Sequence, residues 1–465
     1  MDRVVIDLPE SGETEFRYDQ ADGGLIEITK INRKIQPNKM LSNQTATISF
    51  NNMNGYWCNI LRSSDKYLKG CQVRYYNGEN LKGIFYISKL LEINHPFKIK
   101  IDNFIKLNQP ICPLLTNGKR GNVIGGVLDD SGWLNKGQCV ATRIENGKHH
   151  AAAHHLKDVT KVYENGTQIS FSFDNNADGH CYILSSSSND ELTFNCKGIM
   201  NEEETYMIWN PAWILDRINQ MFGDFEIEGI SEAAALYEER GYKNNPAILI
   251  EGTETWEKFF QKFSINYDSY FVPTNDGKIK LKVDEWENIE PTVSIHSGYI
   301  DGFENLYNDE NIINSIQRKY FHHFREKTFK YEPEDIQETI KYMPGVGVIE
   351  LQYHTDDASS FDVAARRLFF LKKPEEKIAF EIFSENFKDL DLGDTFFCKA
   401  NKGLYKGEKR TYLLLEIKEE NEGKVYIAAL DIQSRIQGQI ILLDENDPNV
   451  AILTDETDEE CLILM

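Results

Sequence analysis

Residues 145–166, ENGKHHAAAHHLKDVTKVYENG, place His149, His150, His154 and His155 within seven positions, four of the ten histidines in the chain. On a helix, His150 and His154 would share a face at i and i+4, a spacing that lets two neutral imidazoles bind zinc. The cluster lacks the catalytic glutamate of HExxH, however. Only Cys139 and Glu145 lie near enough in sequence to complete a ligand set. The residues therefore predict a surface loop or strand start that picks up nickel adventitiously at most, with no functional metal.

Other patterns offer less. DNNADGH, residues 174–180, supplies Asp174, Asn176, Asp178 and Gly179 like the front half of a calcium loop. The twelfth position, which needs a bidentate glutamate, is Ser185, and the flanks read as strands. A hairpin turn is expected. DENDPN at 444–449 is a weaker pattern of the same kind. No GxSxG, Walker loop or dinucleotide fingerprint occurs, and GVGV at 345–348 reads as turn chemistry after Pro344. Acid pairs such as Asp356–Asp357 and Glu238–Glu239 could serve a glycosidase. Among 74 acidic residues such neighbours arise by chance. No catalytic, cofactor-binding or metal-binding residue is assigned, and no cofactor is expected.

A chain of 465 residues is too long for one ordinary core, so two to four domains are expected. Twenty-two Tyr and 26 Phe favour sheet, because aromatics suit a pleated, half-buried surface. A formal charge of −23 disfavours wrapping nucleic acid, whose phosphates call for Lys and Arg. It suits a conduit through which DNA passes without adsorbing. Eight scattered cysteines without a CxxC pair predict isolated, reduced thiols. No signal peptide is read at the start and no run of 18 apolar residues occurs, so a soluble protein without a membrane partner is expected.

The elements that must position these residues follow from pattern. LIEITKINRKI, TATISFNN, CQVRYYNG, LKGIFYISKLLEI and FKIKIDNFI predict an antiparallel barrel or sandwich over 1–115. VTKVYENGTQISFSF and HCYILSSSSNDELTFNCKG predict a small inserted β module over 116–198. An α+β module follows over 199–300. Its first helix should bury Ile208, Trp209, Ala212, Trp213, Ile218 and Met221, with Pro211 in the first turn. Its second buries Trp256, Phe259, Phe260 and Phe263 behind Thr253 or Thr255. A hairpin turning at Asp276–Gly277 comes next. Over 301–440, INSIQRKYFHHFREKTFKYE alternates like a strand and ASSFDVAARRLFFLKKP is helical as far as Pro374. The last two of several strands join around Glu422–Gly423. Residues 441–465 form an acidic tail, expected to be mobile or an interaction arm. The fold class is mainly β with α+β parts, and multi-domain.

Three segments together resemble phage tail hub proteins. In the first, Asn52, Asn54 and Gly55 supply a turn, Gly70 and Val73 a second element and Gly83 a third. In the middle, Val162, Tyr163, Gly166, Gly179, Leu192, Thr193 and Gly198 match a module inserted in many tail proteins, and the histidines mark its lead-in. Near the end, Ala364, Ala365 and Leu368, then Leu390, Leu392, Gly393 and Asp394, resemble the hub's closing barrel. There Gly393 lets the chain turn, and Asp394 bonds local backbone while Leu390 and Leu392 point inward.

The resemblance implies a structural virion protein, not an enzyme. It would be a baseplate hub at the distal tail end of a phage or a related injection device. The two ends of the chain would form tube-like antiparallel β-barrels. A homotrimeric ring would join the sixfold tail tube to a threefold tip or spike and let DNA pass during ejection, with some carboxylates facing the lumen. The implied partners are the tail tube or distal tail protein, the tip, spike or receptor-binding proteins, and the tape measure protein. The implied place is the virion tail tip, after late synthesis in the host cytoplasm. Two alternatives remain. A monomeric β adhesin predicts no ring. A carbohydrate-binding or hydrolytic tail component predicts a cleft lined by aromatics and carboxylates.

Overall fold

In FKIKID, Phe97, Ile99 and Ile101 are buried while Lys98, Lys100 and Asp102 take the opposite face. This period-two alternation builds both ends of the chain into sheet. The computed structural model describes residues 2–433 apart from 10, 22, 30–31, 36–41, 64–67, 103–104, 116–117, 130–135, 243–245, 275, 285–290, 292, 309–311, 332–335, 338–344, 372–374, 384–389, 400–406 and 420–423. The Glu422–Gly423 turn, Pro374, Pro344, Cys461, the DENDPN stretch and the acidic tail lie outside the described residues.

The fold is mainly β with α+β parts. The N-terminal strands predicted from pattern are present as Leu25–Ile28, Asn32–Ile35, Ser42–Phe50, Gln72–Asn77, Asn80–Glu92 and Phe97–Asp102. Two further strands, Asp2–Leu8 and Gly12–Arg17, and a short helix, Tyr56–Ser63, were not predicted. The helix delivers Trp57 into the core, where it stacks on Phe97 at 4.7 Å between centroids and meets Phe50 and Phe16 at 4.5 and 4.8 Å. Asn52 fixes its start. Its Oδ1 accepts from the Trp57 amide at 2.9 Å and its Nδ2 donates to the Ile93 carbonyl at 3.0 Å.

The C-terminal strands Glu375–Phe383, Thr395–Lys399, Lys409–Glu419 and Lys424–Asp431 enclose a second core around Phe380, Leu392, Leu414 and Ile427. The two ends are not separate sheets. Asn32–Ile35 lies between Ser42–Phe50 and Lys409–Glu419, with Arg33 opposite Ile417 and Lys34 opposite Glu416. One 14-stranded sheet therefore runs through two curled half-barrels.

Between them sits a nine-stranded sheet. Its strand Val123–Leu128 pairs with Glu191–Ile199 on one side and Ala247–Ile250 on the other, tying the inserted strands to the α+β part. The helix Pro211–Phe222 starts at Asn210, whose Oδ1 accepts from the Ala212 amide at 2.9 Å. Pro211 at the first helical position sets the phase, so Ala212, Ile214, Leu215 and Ile218 are buried. Trp209 and Trp213, expected on the apolar face, are exposed instead. The second helix, Trp256–Asn266, is capped by Thr255 and buries all four predicted aromatics. Its hairpin, Ser269–Pro273 with Ile279–Val283, turns through Gly277 at φ +85°.

Two C-terminal expectations change. The alternating segment is a hairpin and not one strand: Ser315–His323 pairs with Thr328–Tyr331. Lys327, at φ +53°, helps reverse the chain between them. GVGV is not a turn throughout, because a strand starts at Val346 and runs parallel to Ser315–His323. The helix Asp357–Leu371 buries Val363, Ala364, Ala365 and Leu368.

Candidate functional site: the open sheet edges and the histidine-lined module

Of the two placements expected for the clustered histidines, the surface loop fails and the strand start holds for His149 and His150. His149 and His150 lie in the strand Lys148–Ala152, and His149, His150 and His154 are buried. Alternation along this strand fails as a guide because both of its faces are covered. The rings diverge. His149 Nε2 meets the Asn189 carbonyl at 2.8 Å, and His150 Nε2 meets His180 Nδ1 at 2.8 Å. His154 Nε2 accepts from the Ile124 amide at 2.9 Å, which leaves the proton on Nδ1, facing the His155 carbonyl at 2.9 Å. His155 bridges Glu204 Oε1 at 2.5 Å and the Asn176 carbonyl at 2.8 Å. Burial pushes His150 and His154 down to about 4, so both rings are neutral near pH 7. Among the described residues, no three His, Cys, Asp or Glu side chains are grouped to hold a metal ion.

DNNADGH is a hairpin connection between Ser172–Asn175 and Cys181–Leu184. Gly179 takes φ +83°, Asp178 Oδ1 accepts from the His180 amide at 3.0 Å, and Asp178 Oδ2 accepts from the Tyr182 hydroxyl at 2.7 Å. Burial raises the Asp178 carboxyl, yet these bonds leave it below the usual range. Asp178 is thus committed to its own turn. In the neighbouring hairpin, Asn165 and Gly166 both have positive φ, the geometry of a tight two-residue turn.

The residues behind the tail-hub resemblance act as turns and close contacts. Gly55 and Gly70 have φ of +75° and +93°. A Cβ on Gly198 would stand 2.5 Å from the Ile124 carbonyl oxygen. Leu390 and Leu392 are buried, Gly393 has φ +75°, and Asp394 Oδ2 accepts from the Asp391 amide at 2.7 Å. Asp394 Oδ1 also meets Lys282 Nζ at 2.5 Å, which fastens the α+β hairpin to the C-terminal half-barrel.

The long sheet ends in two strands that are paired on one side only among the described residues. Among the described residues, Gly12–Arg17 pairs only with Asp2–Leu8, and Asp301–Asn308 pairs only with Glu375–Phe383. The first edge is charged and braced: Arg3 contacts Glu15 at 2.8 Å, and Arg74 is paired with Glu13. The hydrogen bond from Arg3, then that from Arg17, holds the Glu15 carboxyl below its ordinary value. The second edge is broken by a bulge between Asp301 and Glu304 and exposes Leu306. Charges and bulges are the devices by which edges avoid indiscriminate pairing.

Comparison with solved structures relates this architecture to known proteins. A 43 kDa tail protein of prophage MuSo2 from Shewanella oneidensis aligns over 93% of this chain and 99% of its own, at 8% identity and a TM-score of 0.45. The chain is similar to phage tail proteins. A tail protein from Neisseria meningitidis MC58 aligns over 94% and 98%, at 9% identity and a TM-score of 0.45. Prophage tail protein gp18 from Listeria monocytogenes EGD-e aligns over 92% and 94%, at 9% identity and a TM-score of 0.42. No family model and no curated protein matches the chain.

Sequence reasoning missed a buried charged cluster. Asp268 and Asp284 are both buried, with Arg367 Nε 3.1 Å from Asp268 Oδ1. Burial raises Asp268 to about 6 despite Arg367 and Arg240, and burial followed by repulsion from Asp268 raises Asp284 to about 7. Nothing in YDS or VDE distinguishes these aspartates from the solvated majority.

Proposed function

We propose that the protein is a structural virion component, the hub at the distal end of a phage tail or related injection device. Three copies form a ring that joins the sixfold tail tube to a threefold tip or spike. The observation that carries this reading is the single 14-stranded sheet curled into two half-barrels, with the Gly12–Arg17 and Asp301–Asn308 strands each paired on one side. An open, curled sheet satisfies its edge groups when copies close a ring by rotation. Two half-barrels per copy supply six repeats from three subunits, which suits a sixfold neighbour.

The work is assembly and passage, with no bond chemistry. The tail tube or distal tail protein would sit on one side of the ring, spike or receptor-binding proteins on the other, and the tape measure protein within reach of the lumen. DNA passes without specific binding, helped by carboxylates facing the passage. The proposed domain plan keeps tube-like ends at 1–115 and 301–440 with insertions at 116–198 and 199–300, although Ile316, Tyr320, Leu351, Ala364 and Leu368 pack with the central core and not with the C-terminal one.

Size-exclusion with light scattering and negative-stain imaging tests the ring. The expected mass is three times 53.7 kDa, about 161 kDa, in ring-shaped particles. A monomer that stays monomeric in the presence of tail-tube rings would overturn the reading.

A further inference from the structure

A cleft of about 690 Å³ opens beside the helix Trp256–Asn266, the hairpin of Ser315–His323 with Thr328–Tyr331, and the strand Val346–Leu351. Four lysines line it, Lys258, Lys262, Lys319 and Lys327, in a chain of formal charge −23. Lys262 is paired with Glu254 at 2.8 Å, and Lys319 faces Glu350 at 3.8 Å. Among the described residues, no carboxylate comes within ion-pair distance of the Lys258 or Lys327 ammonium groups. Lys258 also stands in the first turn of its helix, where a cation opposes the macrodipole. Its placement there does not serve the helix.

The wall between the lysines is aromatic. The His322 ring lies 4.9 Å from Phe324 and 4.8 Å from Phe329. His322 is buried, and its Nδ1 has no hydrogen-bond partner among the described residues. Such an atom is costly to leave unpaired. Burial, then Lys262, pushes the ring down to about 4, so it stays neutral and offers both a donor and an acceptor. The volume is in the range that encloses a molecule of several rings and far exceeds a single small anion.

We propose that this cleft binds an anionic saccharide, with Lys258 and Lys327 taking its acidic substituent and the half-buried Phe329 facing a C–H surface of a sugar ring. The weakly positive C–H groups suit the negative face of an aromatic ring. Hydroxyl groups find Thr253, Gln352 and the cleft carboxylates. Glu254 and Glu350 are paired with lysines, and among the described residues Glu251 has no ion pair within 4 Å, although the Lys327 and Lys262 charges act on it.

The test uses the full chain on a panel of oligosaccharides carrying carboxylate, sulfate or phosphate groups, with neutral counterparts, followed by calorimetry on the tightest. Acidic sugars should bind at least tenfold more tightly than their neutral counterparts. The Lys258→Ala, Lys327→Ala double variant should lose at least tenfold in affinity with its melting temperature unchanged, since both lysines are exposed. Inorganic phosphate should bind far more weakly than the sugar. Retention of no acidic sugar, unaltered binding by the double variant, or phosphate binding as tight as the sugar would each overturn the proposal.

Discussion

The phenol end of Tyr270 closes against Gly393. Its hydroxyl donates to the Gly393 carbonyl at 3.0 Å, and a Cβ on Gly393 would stand 2.3 Å from a ring carbon. This contact presses the α+β hairpin onto the turn that leads into the C-terminal half-barrel. Gly393 also has φ +75°, a conformation an L side chain resists. Gly393→Ala should therefore cost about 2–4 kcal/mol, from strain and steric conflict together. Tyr270→Phe, which removes only the hydrogen bond, should cost about 1 kcal/mol. Urea unfolding midpoints of the two variants measure both, and equal losses would show that the ring contact is not the tight one.

The buried aspartates give a pH dependence of defined sign. Asp268 and Asp284 are raised to about 6 and about 7, mainly by burial. An unfolded aspartate titrates near 3.9. Their contribution to stability is complete below that value and is lost as pH rises through 6 to 7. Asp284→Asn should match the parent near pH 4 and become more stable than it by pH 8, by on the order of 2 kcal/mol. Reading the difference between variant and parent cancels the opposite trend of the histidines. A gap independent of pH would refute the assignment.

The histidines act the other way. Burial holds His154 at about 4, below its unfolded value, so its contribution is full above about 6.5 and fades as pH falls towards 4. His154→Gln should cost about 1–3 kcal/mol at pH 8, where the Ile124 amide loses a well-placed acceptor. The deficit should shrink towards pH 4, where the parent must keep an unfavoured neutral ring. Denaturant titrations at pH 8, 6 and 4.5 follow the gap, and a constant deficit would speak against it.

Which features were legible follows from the range of the interactions that set them. Thr255 with Trp256, Phe259, Phe260 and Phe263 declares its helix within nine residues, and Asp276–Gly277 declares its hairpin within two. The Leu390, Leu392, Gly393 and Asp394 turn was readable for the same reason. The fusion of the half-barrels was not, because Arg33 meets Ile417 across almost the whole chain. Trp209 and Trp213 fit a helical stripe, yet the neighbours that decide burial lie in Ile230–Glu239, where Ala234 takes a bond from Asn210. The cleft joins Lys258 to His322 and Lys327 through the tertiary fold, and no local spacing announces it.

Burial of the histidine run also predicts how it handles nickel. Untagged folded protein should pass a nickel resin, because His149, His150 and His154 are inside the sheet. In 8 M urea the HHAAAHH segment becomes a flexible chelating stretch, and retention should rise sharply. Elution at equal imidazole concentration in both states would mean that the folded chain exposes the rings.

The proposed ring can be tested at the outer edge of the long sheet. Leu306 is exposed on Asp301–Asn308, a strand that pairs on one side only among the described residues. Exposed apolar groups on a sheet edge favour pairing, and lysine opposes it. Leu306→Lys should leave monomer stability within about 0.5 kcal/mol, as surface changes do. If this edge joins neighbouring copies, the same change should shift the mass from about 161 kDa towards 53.7 kDa. Light scattering across a dilution series separates the two effects. A trimer that persists at every concentration would move the interface away from this strand without touching the sugar cleft, and a variant that unfolds would instead assign Leu306 to the core of its own half-barrel.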